Sequence, residues 1–197
     1  MKLVIATRNA HKLEEIHAIF DFQGLEVLSA FDFPEIPEVV EDADTFEGNA
    51  IKKAVEIAKA TGCWSLADDS GLEVEALGGA PGVYSARYAG EPCSYEANNE
   101  KLLAELADKK DRSARFRTVI ALSDPGGSAQ TVSGECPGVI IDKQRGDHGF
   151  GYDPLFVPDG FSETFAELDP SVKNRISHRA NALRKAHSEW AGLLQSL

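Results

Sequence analysis

Asp68 and Asp69 stand side by side in the stretch DDSGL, residues 68–72. Adjacent carboxylates repel unless they are solvated, protonated or bridged by a cation. Along an extended backbone alternate side chains point to opposite sides, so Asp68 and Ser70 share one side and Asp69 takes the other. Mg2+ fits such a strand end, because it commonly takes one or two protein carboxylates and completes its shell with phosphates and water. The plain alternative for DDSG alone is an Asx turn closed by glycine.

Three other stretches carry chemistry of a complementary kind. TRNAHK, made of Thr7, Arg8, Asn9, Ala10, His11 and Lys12, lies where a strand meets a helix. Unpaired N–H groups and the positive end of the helix dipole favour an anion there, and Lys12 in the first turn is a cation where the dipole disfavours one. The glycines and the GK[ST] ending of a Walker P-loop are absent. FGYDP places Phe150, Gly151, Tyr152 and Asp153 before Pro154. Flanking glycines let either ring lie flat on a planar ligand such as a nucleobase, and Asp153 is available to accept a hydrogen bond. In KNRISHR, with Ser177 as helix cap, His178 and Arg179 again set cations at a helix start, with Lys173 ahead of them.

The elements that must position these residues can be read from periodicity and caps. Leu3 to Ala6 is a short buried strand, and a helix runs from about Ala10 to Phe20 with Leu13, Ile16 and Phe20 on one face. A strand LEVLSA follows Gly24. Thr45 caps a helix to about Ala60, with Ile51, Val55 and Ala58 as its apolar stripe and Gly62 as its stop. WSLADDSGLEVEAL is expected to form two short strands broken by a turn at the acids, and ALGGAPGVYSARYAG a glycine-rich loop. A helix is expected over Asn98 to Ala107. RFRTVIAL and QTVSGECPGVII, joined by SDPGGS, form a hairpin, and the final helix faces the core with Leu183, Ala186, Trp190 and Leu194. Early alternation of strands and helices with a hairpin inserted predicts an α/β fold with a mixed sheet.

Composition bounds the function. The chain has 197 residues, 43% hydrophobic and 26% charged, with a formal net charge of −12. Such a charge argues against binding to long nucleic acids, which depends on Lys and Arg neutralising phosphates. Its distribution matters more than its sum. Residues 32–47 hold seven acids and no Lys or Arg, whereas 171–188 hold five Lys or Arg, two His and no acid. Either these are solvated faces, or they form an anion site opposed by a metal-holding acidic patch. Cys63, Cys93 and Cys136 follow neither a disulfide nor a zinc pattern. No apolar run approaches the roughly 18 residues of a membrane span, and the opening MKLVIATRNAHK turns polar too soon for a signal peptide, so a cytoplasmic protein without a membrane partner is expected.

Taken in order, TRNAHK, TFEGNAIKKA at 45–54, DDSGL, GGAPGVYSARYAG at 78–90, FGYDP and KNRISHR make the sequence resemble the Ham1-like inosine triphosphate pyrophosphatase family over nearly its whole length. The resemblance implies an elongated ITPase-like α/β fold, a single domain over 1–197 whose mixed twisted sheet has two lobes flanking a central substrate cleft. It also implies a homodimer, a Mg2+ requirement, and cleavage of ITP, dITP or XTP into the monophosphate and pyrophosphate. Carried over by position, Thr7 to Lys12 bind the phosphates, Asp69 is general base or metal ligand, and Ser70 contacts substrate. Phe150, Gly151, Tyr152 and Asp153 form the base platform, Lys173, His178 and Arg179 complete the site, and Lys53 reaches the triphosphate. Arg179, which only donates, favours 6-oxo bases. Glu41 is the second metal carboxylate, with Glu38 or Asp42 as alternatives. One departure stands out: Ala43 occupies a position where the family commonly has glycine. A Mg2+-dependent phosphomonoesterase and a non-catalytic nucleotide-binding module are the competing readings.

Overall fold

The computed structural model describes residues 2–19 and 24–196, with side chains described to residue 193. Its elements run β1 (Lys2–Ile5), α1 (Ala10–Ile19), β2 (Glu26–Ser29), α2 (Phe46–Thr61), β3 (Trp64–Val74), α3 (Tyr95–Glu105), β4 (Ser113–Ser123), β5 (Ala129–Ile140), β6 (Phe156–Pro158), α4 (Pro170–Ile176) and α5 (His178–Ser196). Among the described residues the strands form a six-stranded mixed sheet in the order β2-β1-β3-β4-β5-β6. The chain divides into two compact units, one of residues 1–69, 118–134 and 179–197, the other of 70–117 and 135–178.

The first unit is built on β1, which pairs parallel with both β2 and β3. Parallel neighbours require crossover connections, and α1 and α2 supply them. Leu3, Ile5, Ile16, Leu66, Ile120, Leu122, Leu183 and Trp190 close over one another as its core. Each such aliphatic side chain contributes roughly 1.5–3 kcal/mol by leaving water. Thr45 caps α2 by accepting from Gly48 N–H at 3.0 Å, and Gly62 ends it in the left-handed conformation. The buried face of α2 is Phe46, Asn49, Ala50, Lys53, Ala54, Ile57 and Ala58, while Ile51 is exposed. The stripe predicted through Ile51 is therefore rotated, because two polar side chains, Asn49 and Lys53, point inward. Phe20 and the Leu194 side chain lie outside the described residues.

The second unit packs Leu72, Leu102, Phe116, Ile140, Tyr152, Phe156 and Phe165 around an aromatic centre. Phe156 meets Phe116 edge-on with ring centroids 4.7 Å apart. β5 pairs antiparallel with β6, and the two approach so closely that a Cβ on Gly138 would lie 2.3 Å from the Val157 carbonyl oxygen.

Two local expectations are corrected, and one helix is added. β3 is one continuous strand of 11 residues through the acids, not two strands and a turn. The polar sequence reads as a turn only if the carboxylates need water, and here other side chains meet them. α3 begins at Tyr95, because Ser94 caps it by accepting from Ala97 N–H. The basic stretch before α5 is itself helical: α4 spans Pro170–Ile176, capped by Asp169, and Ser177 ends it in an extended conformation directly before His178.

Candidate active site

At the end of β1 the chain enters α1 through Thr7, Arg8 and Asn9. Asn9 Oδ1 accepts from Lys12 N–H at 3.2 Å, and Asn9 N–H donates to Thr7 Oγ1 at 3.1 Å, so the turn is ordered by its own side chains. Ala10 and His11 are exposed on the first turn. Arg8 turns toward the acidic segment, where its guanidinium donates to the carbonyls of Ile36 at 2.5 Å and Phe33 at 3.3 Å. Lys12, the cation misplaced with respect to the helix dipole, has a partner: its Nζ lies 3.2 Å from Asp68 Oδ2.

Asp68 also accepts from Arg179 Nε and Nη2, each at 3.4 Å, and Arg179 Nη1 donates to Glu15. Arg179 is 2% exposed. Burial opposes its charge, but Glu15 and Asp68 outweigh burial, so the guanidinium is held protonated more firmly than usual. The structure thus engages with two carboxylates a group that sequence reasoning assigned to a base oxygen.

Asp69, the next residue of β3, points into a different set of partners, as strand alternation requires. It is 4% exposed. Asn49 Nδ2 donates to its Oδ2 at 3.0 Å. Burial pushes its pKa up to about 6, with Lys53, Lys12 and Asn49 pulling it down and Glu41 adding to the rise. Lys53 donates to Glu41 at 2.8 Å. Burial works against the Lys53 charge, and Asp68, Glu41 and Asp69 together overcome it, raising its pKa. Of the alternatives to Glu41, Asp42 pairs with Lys52 at 2.6 Å on the surface, and Glu38 is exposed.

The acidic segment is tied to α2 at close range. Ala43 N–H donates to Asn49 Oδ1 at 2.9 Å, and a Cβ on Gly48 would lie 2.7 Å from the Ala43 Cβ. Among the described residues no non-glycine has positive φ, so Ala43 bears no left-handed strain.

In the second unit the FGYDP stretch is a tight turn held from its own aspartate. Asp153 Oδ2 accepts from Phe150 N–H at 2.9 Å and from Lys173 Nζ at 2.7 Å. Gly149, at φ +75°, leaves room for that carboxylate, since a Cβ there would lie 2.1 Å from Asp153 Oδ2. Phe150 is partly open, with Tyr95 tilted against it at a centroid distance of 6.1 Å and Lys173 Nζ 5.1 Å from its ring centroid. Tyr152 is a core residue, 4% exposed, whose hydroxyl donates to the Ser85 carbonyl at 2.8 Å. Of the two rings proposed as a stacking surface, Phe150 is the one with an open side. The turn is secured from α3 by Asn99 Nδ2, which donates to the Gly151 carbonyl at 3.1 Å. His178 is buried and stacked on Phe116 at 4.8 Å, and Ser70 is half-buried at the start of this unit's share of β3.

Asn49 and Asn99 were not singled out from the sequence. The available signal was polar residues at i and i+4, Asn49 and Lys53, on a face that Phe46, Ala50 and Ile57 make apolar.

As a metal site the first unit offers hard oxygen donors and no closed cage: among the described residues no three His, Cys, Asp or Glu side chains cluster as ligands. Glu41 and Asp69, electrostatically coupled through Lys53, suit an ion that takes two carboxylates and leaves other positions for phosphate and water. That donor set fits Mg2+.

An α/β protein with a cation-balanced, buried carboxylate pair beside a helix start has the equipment for chemistry on small phosphorylated anions. The family model described as the Ham1 family matches residues 3–189, and the chain belongs to that family. It is 55% identical to a dITP/XTP pyrophosphatase of Geobacter sulfurreducens over 196 residues, 98% of each chain. It is 54% identical to the enzyme of the same name from Desulforamulus reducens, over 94% of each. Among solved structures, the Staphylococcus aureus Ham1 protein matches with TM-score 0.89 and 42% identity over 98% of this chain and 100% of that one.

Proposed function

We propose that the chain is a Mg2+-dependent pyrophosphatase that hydrolyses the deaminated purine nucleotides ITP, dITP and XTP to the monophosphate and pyrophosphate, clearing them from the nucleotide pool. The observation that carries this reading is Asp69: a buried carboxylate with its pKa raised to about 6, flanked by Lys12 and Lys53. Such a group is mostly anionic at neutral pH and still basic enough to accept a proton. The names of the close relatives support the substrate class.

In this reading Lys12 and Lys53 meet the negative charge of the triphosphate, and the first turn of α1 offers its N–H groups to phosphate oxygens. Glu41 and Asp69 would hold the Mg2+, which when bound supplies positive charge beside the phosphates and makes water more acidic. A water oxygen attacks the α-phosphorus as Asp69 takes its proton; the bond to the bridging oxygen breaks and pyrophosphate leaves. Positioning and charge stabilisation suffice for phosphoryl transfer, so the site needs no nucleophilic side chain.

Base stacking is assigned to the second unit. The open side of Phe150 stacks the purine, an interaction worth about 1–3 kcal/mol per base. Arg179, which only donates, is assigned to favour a 6-oxo acceptor, with Lys173 as a further cationic donor beside the Phe150 ring. Adenine, with an amino donor there, is disfavoured.

The enzyme is taken to act in the cytoplasm as a homodimer. The first is our own reading; among the described residues no helix is long and apolar enough to cross a membrane. The second rests on family membership and is tested by light scattering. A panel of ITP, XTP, GTP and ATP, with and without Mg2+, tests the function. Pyrophosphate release favouring ITP and XTP is expected, and orthophosphate as the product, or equal turnover of GTP and ITP, overturns the reading.

A further inference from the structure

We propose that Asn49 is a positioning residue that locks the Asp69 carboxylate to the acidic segment carrying Glu41, so that one buried amide sets the spacing of the two acids. The inference rests on the function proposed above. Asn49 is 0% exposed and uses both ends of its amide. Ala43 N–H only donates, so the atom facing it must be Oδ1, at 2.9 Å; Nδ2 is then directed at Asp69 Oδ2, at 3.0 Å. The amide orientation is therefore determined by its neighbours.

Ala43 follows Glu41 by two residues, and Glu41 is bonded at 2.8 Å to Lys53, one helical turn beyond Asn49. Two contacts thus fasten the acidic segment to one rigid face of α2, and the same face holds Asp69. Lys53 neutralises charge, but an ammonium is a point charge that accepts many directions. Asn49 supplies what Lys53 does not: a planar group with a donor for one acid and an acceptor for the Ala43 N–H, two residues after the other acid. A carboxylate held on one oxygen by a fixed amide has its plane set, and a carboxylate shared by substrate chemistry and a cation needs that plane constant.

The test is a double-mutant cycle on kcat and KM for ITP, using Asn49→Ala, Asp69→Asn and the pair. Loss of such an orienting partner typically costs about 10–100-fold in activity or metal affinity. Asn49→Ala is expected to lower kcat by that range while KM moves less than about threefold, and to cost less than about twofold in the Asp69→Asn background. Equal losses in both backgrounds, or wild-type kcat in Asn49→Ala, overturn the proposal. Should Asn49→Ala fail to fold, Asn49→Ser keeps a buried polar group too short to span both partners, and the same outcomes apply.

A second readout needs no turnover. Mg2+ that binds only the folded protein raises its Tm, and Asn49→Ala is expected to require about tenfold more Mg2+ for the same rise. An unchanged Mg2+ dependence counts against Asn49. If the wild type hydrolyses no purine triphosphate, the functional reading fails by itself, and the Mg2+ titration still decides the role of Asn49.

Discussion

Lys173 Nζ donates to Asp153 Oδ2 across 2.7 Å, with both side chains buried. The same oxygen accepts from Phe150 N–H, so one ion pair fixes the position of the ring proposed to stack the base. Removing Lys173 leaves a buried carboxylate without its cation, a change that typically costs about 3–5 kcal/mol. Lys173→Met is expected to fall in that range by denaturant unfolding, and Lys173→Met with Asp153→Asn to be less destabilised than Lys173→Met alone. A double variant as unstable as the sum of its parts would show that the pair is not coupled.

Asp69 is predicted to make the fold less stable at neutral pH. Its folded-state pKa, about 6, lies above its ordinary value of 3.8, and burial is the chief cause. The folded protein therefore binds a proton that the unfolded chain has released, and the stability this gives is complete below about pH 4 and lost as pH rises through about 6. Two pKa units correspond to about 3 kcal/mol. Asp69→Asn, which does not titrate, should gain about that much on the wild type between pH 4 and pH 8, by guanidinium unfolding at each pH. In activity the same group predicts an acid limb of kcat/KM that lies below pH 6 when Mg2+ is present, because a bound cation favours the charged carboxylate.

How far this could be read in advance depends on how local the cause is. The Thr45 cap and the Gly62 stop of α2 act within one turn, and the sequence shows both. The continuity of β3 is not local. DDSG reads as a turn because its acids need partners, and one partner of Asp68, Arg179, lies 111 positions away. The same holds for Asn49, which looks like an ordinary helix residue until Asp69, 20 positions on, supplies the reason for burying it. Several motif residues do meet within each unit, Lys12, Lys53 and Asp69 in one and Phe150, Asp153 and Lys173 in the other. Which side chain in each motif faces a partner, as Phe150 rather than Tyr152 keeps an open side, is settled by packing: the Tyr152 hydroxyl reaches the Ser85 carbonyl from within the core.

Asn99 makes a prediction of the KM kind. Its Nδ2 holds the Gly151 carbonyl, and it is 3% exposed on α3. Losing one such hydrogen bond costs about 0.5–1.5 kcal/mol. Asn99→Ala should loosen the turn that presents Phe150, raising KM for ITP up to about tenfold while kcat stays within about twofold. A fall in kcat with KM unchanged would show instead that this turn is part of the transition-state machinery.

Gly48 lies in the first turn of α2, where helix propensity alone would favour alanine by about 1 kcal/mol. Space decides otherwise. A Cβ at Gly48 would sit 2.7 Å from the Ala43 Cβ, closer than a Cβ approaches another atom, and 3.1 Å from Thr45 Oγ1, a tight contact. The helix is the stiffer partner, so the acidic segment must give way. Moving Ala43 strains its N–H bond to Asn49 and shifts Glu41, two residues earlier. Gly48→Ala is expected to lower kcat about tenfold and raise the Mg2+ concentration for half-maximal activity, as a displaced ligand segment does. Ala43→Gly deletes the opposing Cβ and should restore most of that loss in the double variant, although it touches no phosphate or metal group. Activity of the Gly48→Ala, Ala43→Gly pair no higher than that of Gly48→Ala alone would mean that contact between these two residues is not what limits the fit.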